Sequence, residues 1–189
     1  TFLVFLGKQG YSKASIVRKL ITLRSFYKFC LHRGHVKVHP FIGIKIPRLE
    51  KCQPKFLEME EIGKLLNAPN DDCLLGARDR AMLEVLSSTG VRISELVNIN
   101  CDDVDFTAQL IRIRVEGKKQ RTTPIGATVI SAIQKYLKHR SGDPHNPRFN
   151  QKVLFLNKYG QRLSTRNVRR KFEGYLNQAG LDSTISPHI

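Results

Sequence analysis

The stretch ARDRAMLEVLSSTGVRISELV, residues 77–97, decides how this chain folds. Its first part is apolar enough to predict a mostly buried helix. The pair Thr89-Gly90 then ends this helix, because glycine adopts the left-handed backbone that closes a helix at little cost. A second short helix follows at once, with Arg92 at its start and Glu95 three residues later. The stretch therefore predicts two consecutive helices with a cation at the junction.

This junction holds the Arg92 guanidinium on a packed element, with the Glu95 carboxylate close enough to orient it. An arginine fixed in this way suits the bidentate binding of a phosphate, since its planar fork is always charged. An ordinary surface ion pair has the same spacing. The stretch by itself leaves both interpretations open.

The charge of the chain indicates the class of partner. Of its 189 residues, 32 are Lys or Arg and 16 are Asp or Glu, which gives a net charge of +16. The cationic residues are spread along folded, apolar segments instead of being collected in a tail. This distribution favours a folded surface that binds a polyanion, most often nucleic acid. A general RNA-binding protein would have the same composition, so charge alone selects no finer class.

The cysteines and the apolar segments exclude several other classes. Four widely spaced cysteines without a C-x-x-C pair argue against a zinc ribbon and a disulfide scaffold, and indicate free thiols in a reducing cytoplasm. Cys30, His32, His35 and His39 lie close together, but their spacing fits no common zinc module, so we expect no metal. No apolar run approaches the roughly 18 residues of a membrane span, and no signal peptide is present. We expect a cytoplasmic protein without membrane contact.

The hydrophobic pattern predicts a mainly α fold with a small antiparallel β-sheet. Residues 110–115 and 121–125 are predicted to form a β-hairpin around the turn at 116–120, and residues 153–156 a short buried strand. The predicted helices span residues 12–33, 58–67, 72–88, 127–139 and 164–179.

Several basic residues are candidates for DNA contact. Pro40, Pro47 and Pro54 predict an extended basic linker over residues 40–55, which could serve as a strap on DNA or as a plain solvated connection. Two helices also present cations on their surfaces, where they could bind phosphates, enter a major groove or remain solvated. The candidates are Arg18 and Arg24 on the first helix, Lys45 in the linker, and Arg166, Arg169 and Arg170 on the last helix.

Three segments together resemble the tyrosine site-specific recombinases, most closely the Xer-type and phage-integrase branch. They are ARDRAMLEVLSSTGVRISELVNINCDDVDF at 77–106, IRVEGKKQRTTPI at 113–125 and SPHI at 186–189. The resemblance implies a two-domain clamp around duplex DNA. Residues 1–39 would be the C-terminal part of a helical core-binding domain and residues 56–189 an α+β catalytic domain, incomplete at its C-terminus.

The resemblance also implies a reaction without metal or high-energy cofactor. In this family a tyrosine attacks the scissile phosphate, forms a 3′-phosphotyrosyl bond and releases a 5′-hydroxyl. Arg92 matches the arginine that clamps the phosphate, and Glu95 matches the acidic residue that supports it. Lys118 matches the lysine expected to protonate the leaving oxygen, although the short turn leaves Lys119 as an alternative. His188 matches the histidine that binds the phosphate or assists proton transfer.

The chain departs from the family pattern at its end. It stops at Ile189, before the second arginine and the nucleophilic tyrosine would appear, and none of its five tyrosines lies in the matching context. We therefore expect a fragment that cannot cleave DNA alone.

The partner implied by the resemblance is double-stranded DNA with an inverted-repeat site, bound by a tetramer of the full-length protein in the nucleoid. One alternative is a non-catalytic, sequence-specific DNA-binding module. The other is the general RNA-binding protein, which would show no preference for inverted repeats.

Overall fold

The computed structural model describes residues 2–48, 55–114, 120–141 and 151–186. The chain forms two compact units, Thr1–Gln53 and Pro54–Ile189. The predicted mainly helical fold with a small antiparallel sheet is confirmed. The helices are α1 (Phe2–Lys8), α2 (Lys13–His32), α3 (Met59–Asn67), α4 (Leu74–Thr89), α5 (Ile93–Leu96), α6 (Ala127–Ser141) and α7 (Thr165–Gln178). The strands are β1 (Val104–Asp105), β2 (Leu110–Arg114) and β3 (Gln120–Pro124).

The first unit is built around α2. Ser12 caps this helix by accepting a hydrogen bond from the Ser15 N–H, as serine does at a helix start. Residues 40–48, predicted to begin the linker, belong to this unit. The Phe41 ring lies 5.4 Å from the Tyr27 ring, and the Arg24 guanidinium donates to the carbonyls of Phe41 and Ile44. The assignment of these residues to a core-binding domain and a linker stays a prediction.

The second unit is organised by α4, which packs along α6. Nearly every residue from Gly76 to Leu86 is buried, so α4 runs through the core instead of lying on it. The predicted break after this helix is confirmed, because Gly90 has a φ of +59° and its N–H donates to the Leu86 carbonyl. The end of α4 therefore fixes where the chain leaves the core.

The predicted hairpin supplies β2 and β3 of a three-stranded antiparallel sheet in the order β1-β2-β3. In β2, Ile111 and Ile113 are fully buried while Arg112 and Arg114 are exposed, which is the alternation of a half-buried strand. Residue Arg121 of β3 lies opposite Ile113 in the register. The turn between the strands, with Lys118 and Lys119, lies outside the described residues.

The sequence predicts a short buried strand at residues 153–156; the prediction of burial is confirmed, but that of a strand is wrong. All four are buried, but they make only two isolated bridges, Asn100↔Val153 and Leu156↔Arg162. The backbone of this segment makes hydrogen bonds with side chains as well as with other backbone groups. The Arg140 guanidinium donates to the carbonyls of Val153 and Leu154, and the Leu156 N–H donates to the Tyr136 hydroxyl.

A buried charge cluster joins α4 to α7. Asp79 is fully buried, and its carboxylate accepts from the Arg78 guanidinium at 2.8 Å, from the Tyr175 hydroxyl at 2.8 Å and from the Lys171 ammonium at 3.0 Å. Burial raises the pKa of Tyr175, and its hydrogen bond to Asp79 raises it further. The cluster fixes the basic helix α7 against the core.

In the described part of the chain, no helix combines the length and the apolar character needed to cross a membrane.

Candidate functional site

Arg92 lies where α4 gives way to α5. The Thr89 hydroxyl donates to the Val85 carbonyl and accepts from the Val91 N–H, which closes the end of α4. Val91, directly before Arg92, and Ile93, directly after it, are both buried. These two apolar neighbours hold the backbone of Arg92 in the core. Its side chain is nevertheless 69% exposed, so a fixed backbone presents an accessible guanidinium.

Glu95 is the acidic partner that the sequence predicted for Arg92. Its side chain is only 6% exposed. One carboxylate oxygen accepts from the Arg92 backbone N–H at 2.9 Å, and the other lies 3.5 Å from Nη1 of the Arg92 guanidinium. Burial alone would raise the pKa of Glu95, but the Arg92 N–H and the Arg121 guanidinium outweigh it and lower the pKa below its ordinary value. Glu95 is therefore a buried carboxylate that stays charged.

Arg121 is a site residue that the sequence analysis did not identify. Its Nη1 and Nη2 donate to the two oxygens of Glu95 at 3.1 and 2.9 Å, which is the bidentate geometry of a strong arginine–carboxylate pair. The contact joins β3 to α5. A signal for it exists in the sequence: a charged residue opposite Ile113 occupies an inward position of the hairpin and needs a buried partner.

Two cavities meet at Arg92. The first has a volume of about 700 Å³, with Arg92 and Arg121 among its polar lining residues. Its apolar wall comes from α3, α4 and α7 and their neighbours. The apolar lining residues are Phe56, Leu57, Ile62, Leu65, Leu66, Leu83, Leu86, Phe172 and Ile185.

The second cavity has a volume of about 580 Å³ and is polar. Arg114 and Arg162 line it together with Arg92, and both are anchored by the protein. Arg114 binds Asp103 at 2.8 Å, whereas Arg162 donates to the Val97 carbonyl and to the side chain of Asn100. Among the described residues that line it, Glu95 is the only carboxylate, and Arg121 already neutralises it. An anion is the ligand that such a lining favours.

The remaining predicted site residues fall into two groups. Lys118 and His188 lie outside the described residues, so their positions relative to Arg92 stay a prediction. Among the predicted DNA contacts, Arg24 is half-buried and holds residues 41–44 of the first unit. The others are exposed: Arg18 and Lys45 in the first unit, and Arg166, Arg169 and Arg170 on α7 of the second.

The histidines and cysteines of the first unit do not form a metal site in the described residues, where no group of three potential ligands lies together. His39 has a different role there. Its ring contacts the Arg24 carbonyl at 3.2 Å and accepts from the Phe41 N–H at 3.1 Å. It thereby helps to fold the segment after α2 back onto that helix.

The phage integrase family model matches residues 55–189. The chain is 40% identical to a tyrosine recombinase XerC of Syntrophus aciditrophicus over an alignment of 190 positions, which covers 99% of this chain and 61% of that protein. It is 33% identical to a tyrosine recombinase XerD of Listeria innocua, over 99% of this chain and 63% of that protein. The chain thus spans less than two thirds of the length of these relatives.

Solved structures show the same likeness. The crystal structure of XerA recombinase matches with a TM-score of 0.64 and 26% identity, over 97% of this chain and 61% of that one. XerH recombinase, crystallised with its difH substrate in a pre-cleavage complex, matches with a TM-score of 0.74 and 24% identity, over 96% of this chain and 52% of that one. At 24% identity, the match to XerH shows a shared fold alone. The sequence relatives XerC and XerD confirm the predicted resemblance to the Xer-type branch.

Proposed function

Since this chain belongs to the phage integrase family, we propose that it forms part of a site-specific recombinase that cuts and rejoins duplex DNA through a 3′-phosphotyrosyl intermediate. The observation that carries the proposal is Arg92, an exposed guanidinium on a buried junction, supported by the charged and buried Glu95. A surface ion pair does not require a buried carboxylate, and Glu95 is buried. The arrangement is the one that a fixed phosphate-binding arginine needs.

The proposed chemistry assigns one task to each residue. Arg92 binds the non-bridging oxygens of the scissile phosphate and stabilises the negative charge that grows as the tyrosine attacks. Lys118 donates a proton to the departing 5′-oxygen, and His188 binds the phosphate or assists the proton transfer. Glu95 keeps the backbone and the guanidinium of Arg92 in place. The roles of Lys118 and His188 derive from their match to the family motifs.

The proposed partner is a duplex site with inverted repeats, bound by several copies of the full-length protein in the nucleoid. The net charge of +16 supports a polyanionic partner. Arg166, Arg169 and Arg170 are exposed on one helix, where they can neutralise backbone phosphates or enter a groove. In the first unit, the residues proposed to contact DNA are Arg18, Arg24 and Lys45.

Selection of binding sites from a random duplex library tests the proposed partner. The protein should enrich an inverted repeat and should bind it more tightly than random duplex or RNA at equal salt. Equal affinity for RNA would contradict the proposal and favour a general RNA-binding protein. The intact gene product should then cleave the selected site. Tight binding without any cleavage of either strand would favour the non-catalytic DNA-binding module.

The role of Arg92 is tested separately by Arg92→Gln. We expect it to weaken duplex binding more than Arg112→Gln does, because both variants remove one exposed positive charge but only Arg92 belongs to the site. Fluorescence anisotropy with a labelled duplex measures both dissociation constants. Equal effects would argue against a special role for Arg92.

A further inference from the structure

The two arginines that meet at Glu95 share it unequally. Arg121 donates to both carboxylate oxygens, at 3.1 and 2.9 Å. The guanidinium of Arg92 reaches only one of them, at 3.5 Å, which is the outer limit of a hydrogen bond. The Arg92 side chain is 69% exposed, whereas that of Arg121 is 40% exposed. Glu95 is thus paired mainly with Arg121, although Arg92 is its neighbour in sequence.

A buried carboxylate that stays charged needs a strong partner. Removing one partner of such a pair leaves an uncompensated charge, which is costly enough to recruit any other cation within reach. Arg92 is within reach, since it lies three residues before Glu95 and already touches it. An Arg92 guanidinium drawn into a bidentate pair with Glu95 would have fewer donors left for a phosphate.

We infer that Arg121 is a positioning residue, which keeps the Arg92 guanidinium available for a phosphate by occupying Glu95. The inference rests on the phosphate-binding role proposed for Arg92. Arg121 need not touch the DNA itself for this effect. It acts from β3, a strand that comes 26 residues after Glu95 in the sequence, so the availability of Arg92 depends on correct packing of the hairpin against α5.

Duplex binding by single variants gives the first test. Arg121→Gln should weaken binding of a labelled random-sequence duplex by about tenfold, the lower end of the range for hydrogen bonds to charged groups. Arg112→Gln, on the neighbouring strand of the same hairpin, removes the same charge from an exposed position and should have a smaller effect. Circular dichroism and thermal unfolding show whether each variant is folded.

A double-mutant cycle separates the inference from a simple effect of charge. In the wild-type protein, Glu95→Gln removes the charge that supports Arg92 and should weaken duplex binding. In the Arg121→Gln background the same change should instead raise the affinity, because no carboxylate is left to capture Arg92. The changes Arg112→Gln and Glu95→Gln should be additive. Additivity in both cycles would overturn the inference.

The guanidinium of Arg92 can also be observed directly. In ¹⁵N NMR spectra, the Nη–H groups of Arg92 should exchange more slowly with water in Arg121→Gln than in the wild type, since a bidentate pair with Glu95 protects them. If Arg121→Gln does not fold, Arg121→Lys decides the question, because lysine keeps the charge but cannot bind both oxygens as a fork. Its affinity should lie below that of the wild type, and a wild-type affinity would overturn the inference.

These results also distinguish the inference from the proposed function. A wild-type protein that does not bind duplex DNA would contradict both. A wild-type protein that binds duplex, and loses affinity on Arg92→Gln, upholds the role of Arg92 whatever the cycle shows. Absent coupling between Arg121 and Glu95 in that protein would overturn the inference alone.

Discussion

Glu95 contacts two arginines through one carboxylate, and its charge strengthens each contact. It accepts from the backbone of Arg92, approaches the Arg92 side chain and binds Arg121. At the residue scale, the site therefore depends on the ionisation of a group that has little contact with solvent.

This ionisation predicts a dependence of stability on pH. The folded state holds the pKa of Glu95 below its ordinary value of 4.5, so unfolding takes up a proton as the pH falls. The stabilisation is complete above the ordinary pKa and is lost as the pH falls through the lower pKa of the folded protein. Glu95→Gln should cost about 1–3 kcal/mol near neutral pH and less in acid. Urea unfolding at several pH values measures both, and a constant difference would contradict the prediction.

Loss of the buried Asp79 carboxylate should lower the stability of the fold by a larger amount. Asp79→Ala leaves the buried Arg78 guanidinium without its carboxylate, which should cost about 3–5 kcal/mol. Asp71→Ala is the matched control, because Asp71 pairs with Lys135 at 2.8 Å and both side chains are partly exposed, at 38% and 41%. The control should cost about 1 kcal/mol or less. Denaturant unfolding measures both losses of free energy. Equal losses would show that burial does not determine how much an ion pair stabilises this fold.

The sequence identified Arg92 and Glu95 because they lie three residues apart next to a clear helix end. Arg121 was missed because its partner is 26 residues away, and no local period connects a strand with a preceding helix. Its role depends on the register of the hairpin and on the packing of β3 against α5. The alternation of the hairpin places Arg121 on the inward face, but only the tertiary structure identifies Glu95 as its partner.

At the scale of elements, two helical glycines differ in what surrounds them. Gly76 lies in the buried first turn of α4, where a Cβ atom would meet the Asn70 carbonyl oxygen at 1.7 Å. Gly174 lies on an exposed part of α7, where a Cβ atom would meet nothing within 4 Å. Replacement by alanine should therefore have opposite effects on stability at the two positions.

We expect Gly76→Ala to destabilise the protein by about 1–3 kcal/mol, because the backbone at Asn70 must move to admit the methyl group. Gly174→Ala should stabilise it by about 0.5–1 kcal/mol, since alanine restricts the unfolded chain and favours the helix. Thermal unfolding of the two variants measures both changes. Destabilisation by Gly174→Ala would contradict the prediction.

Most elements could be predicted, because the helical period and the alternation of β2 are properties of neighbouring residues. Strand β1 could not, since it has two residues and exists only through its pairing of Val104 with Ile111. The segment 153–156 misled the prediction for a related reason. Its apolar residues are buried as expected, but the Arg140 guanidinium and the Tyr136 hydroxyl take up bonds that a strand would make with another strand.

At the scale of the whole molecule, the excess of positive charge predicts binding that depends strongly on salt. The logarithm of the association constant for duplex DNA should fall linearly with the logarithm of the salt concentration. Arg166→Gln, Arg169→Gln and Arg170→Gln should each reduce this slope by about 0.9 if the residue contacts a phosphate. Lys64→Gln, an exposed cation on α3, is the single-charge control. Unchanged slopes for all three α7 variants would remove α7 from the DNA contacts.

The left-handed glycine at the end of α4 has a consequence for how this protein can change in length. Each residue of an α-helix turns the chain by about 100°, so a single insertion or deletion inside α4 would swing Arg92 and Glu95 together away from Arg121 or disrupt the packing against α6. The few exposed side chains of α4, such as Ser87 and Ser88, can vary, whereas the number of residues between its first turn and Gly90 cannot. Related chains should therefore differ in α4 by substitution and place their gaps in other parts of the alignment.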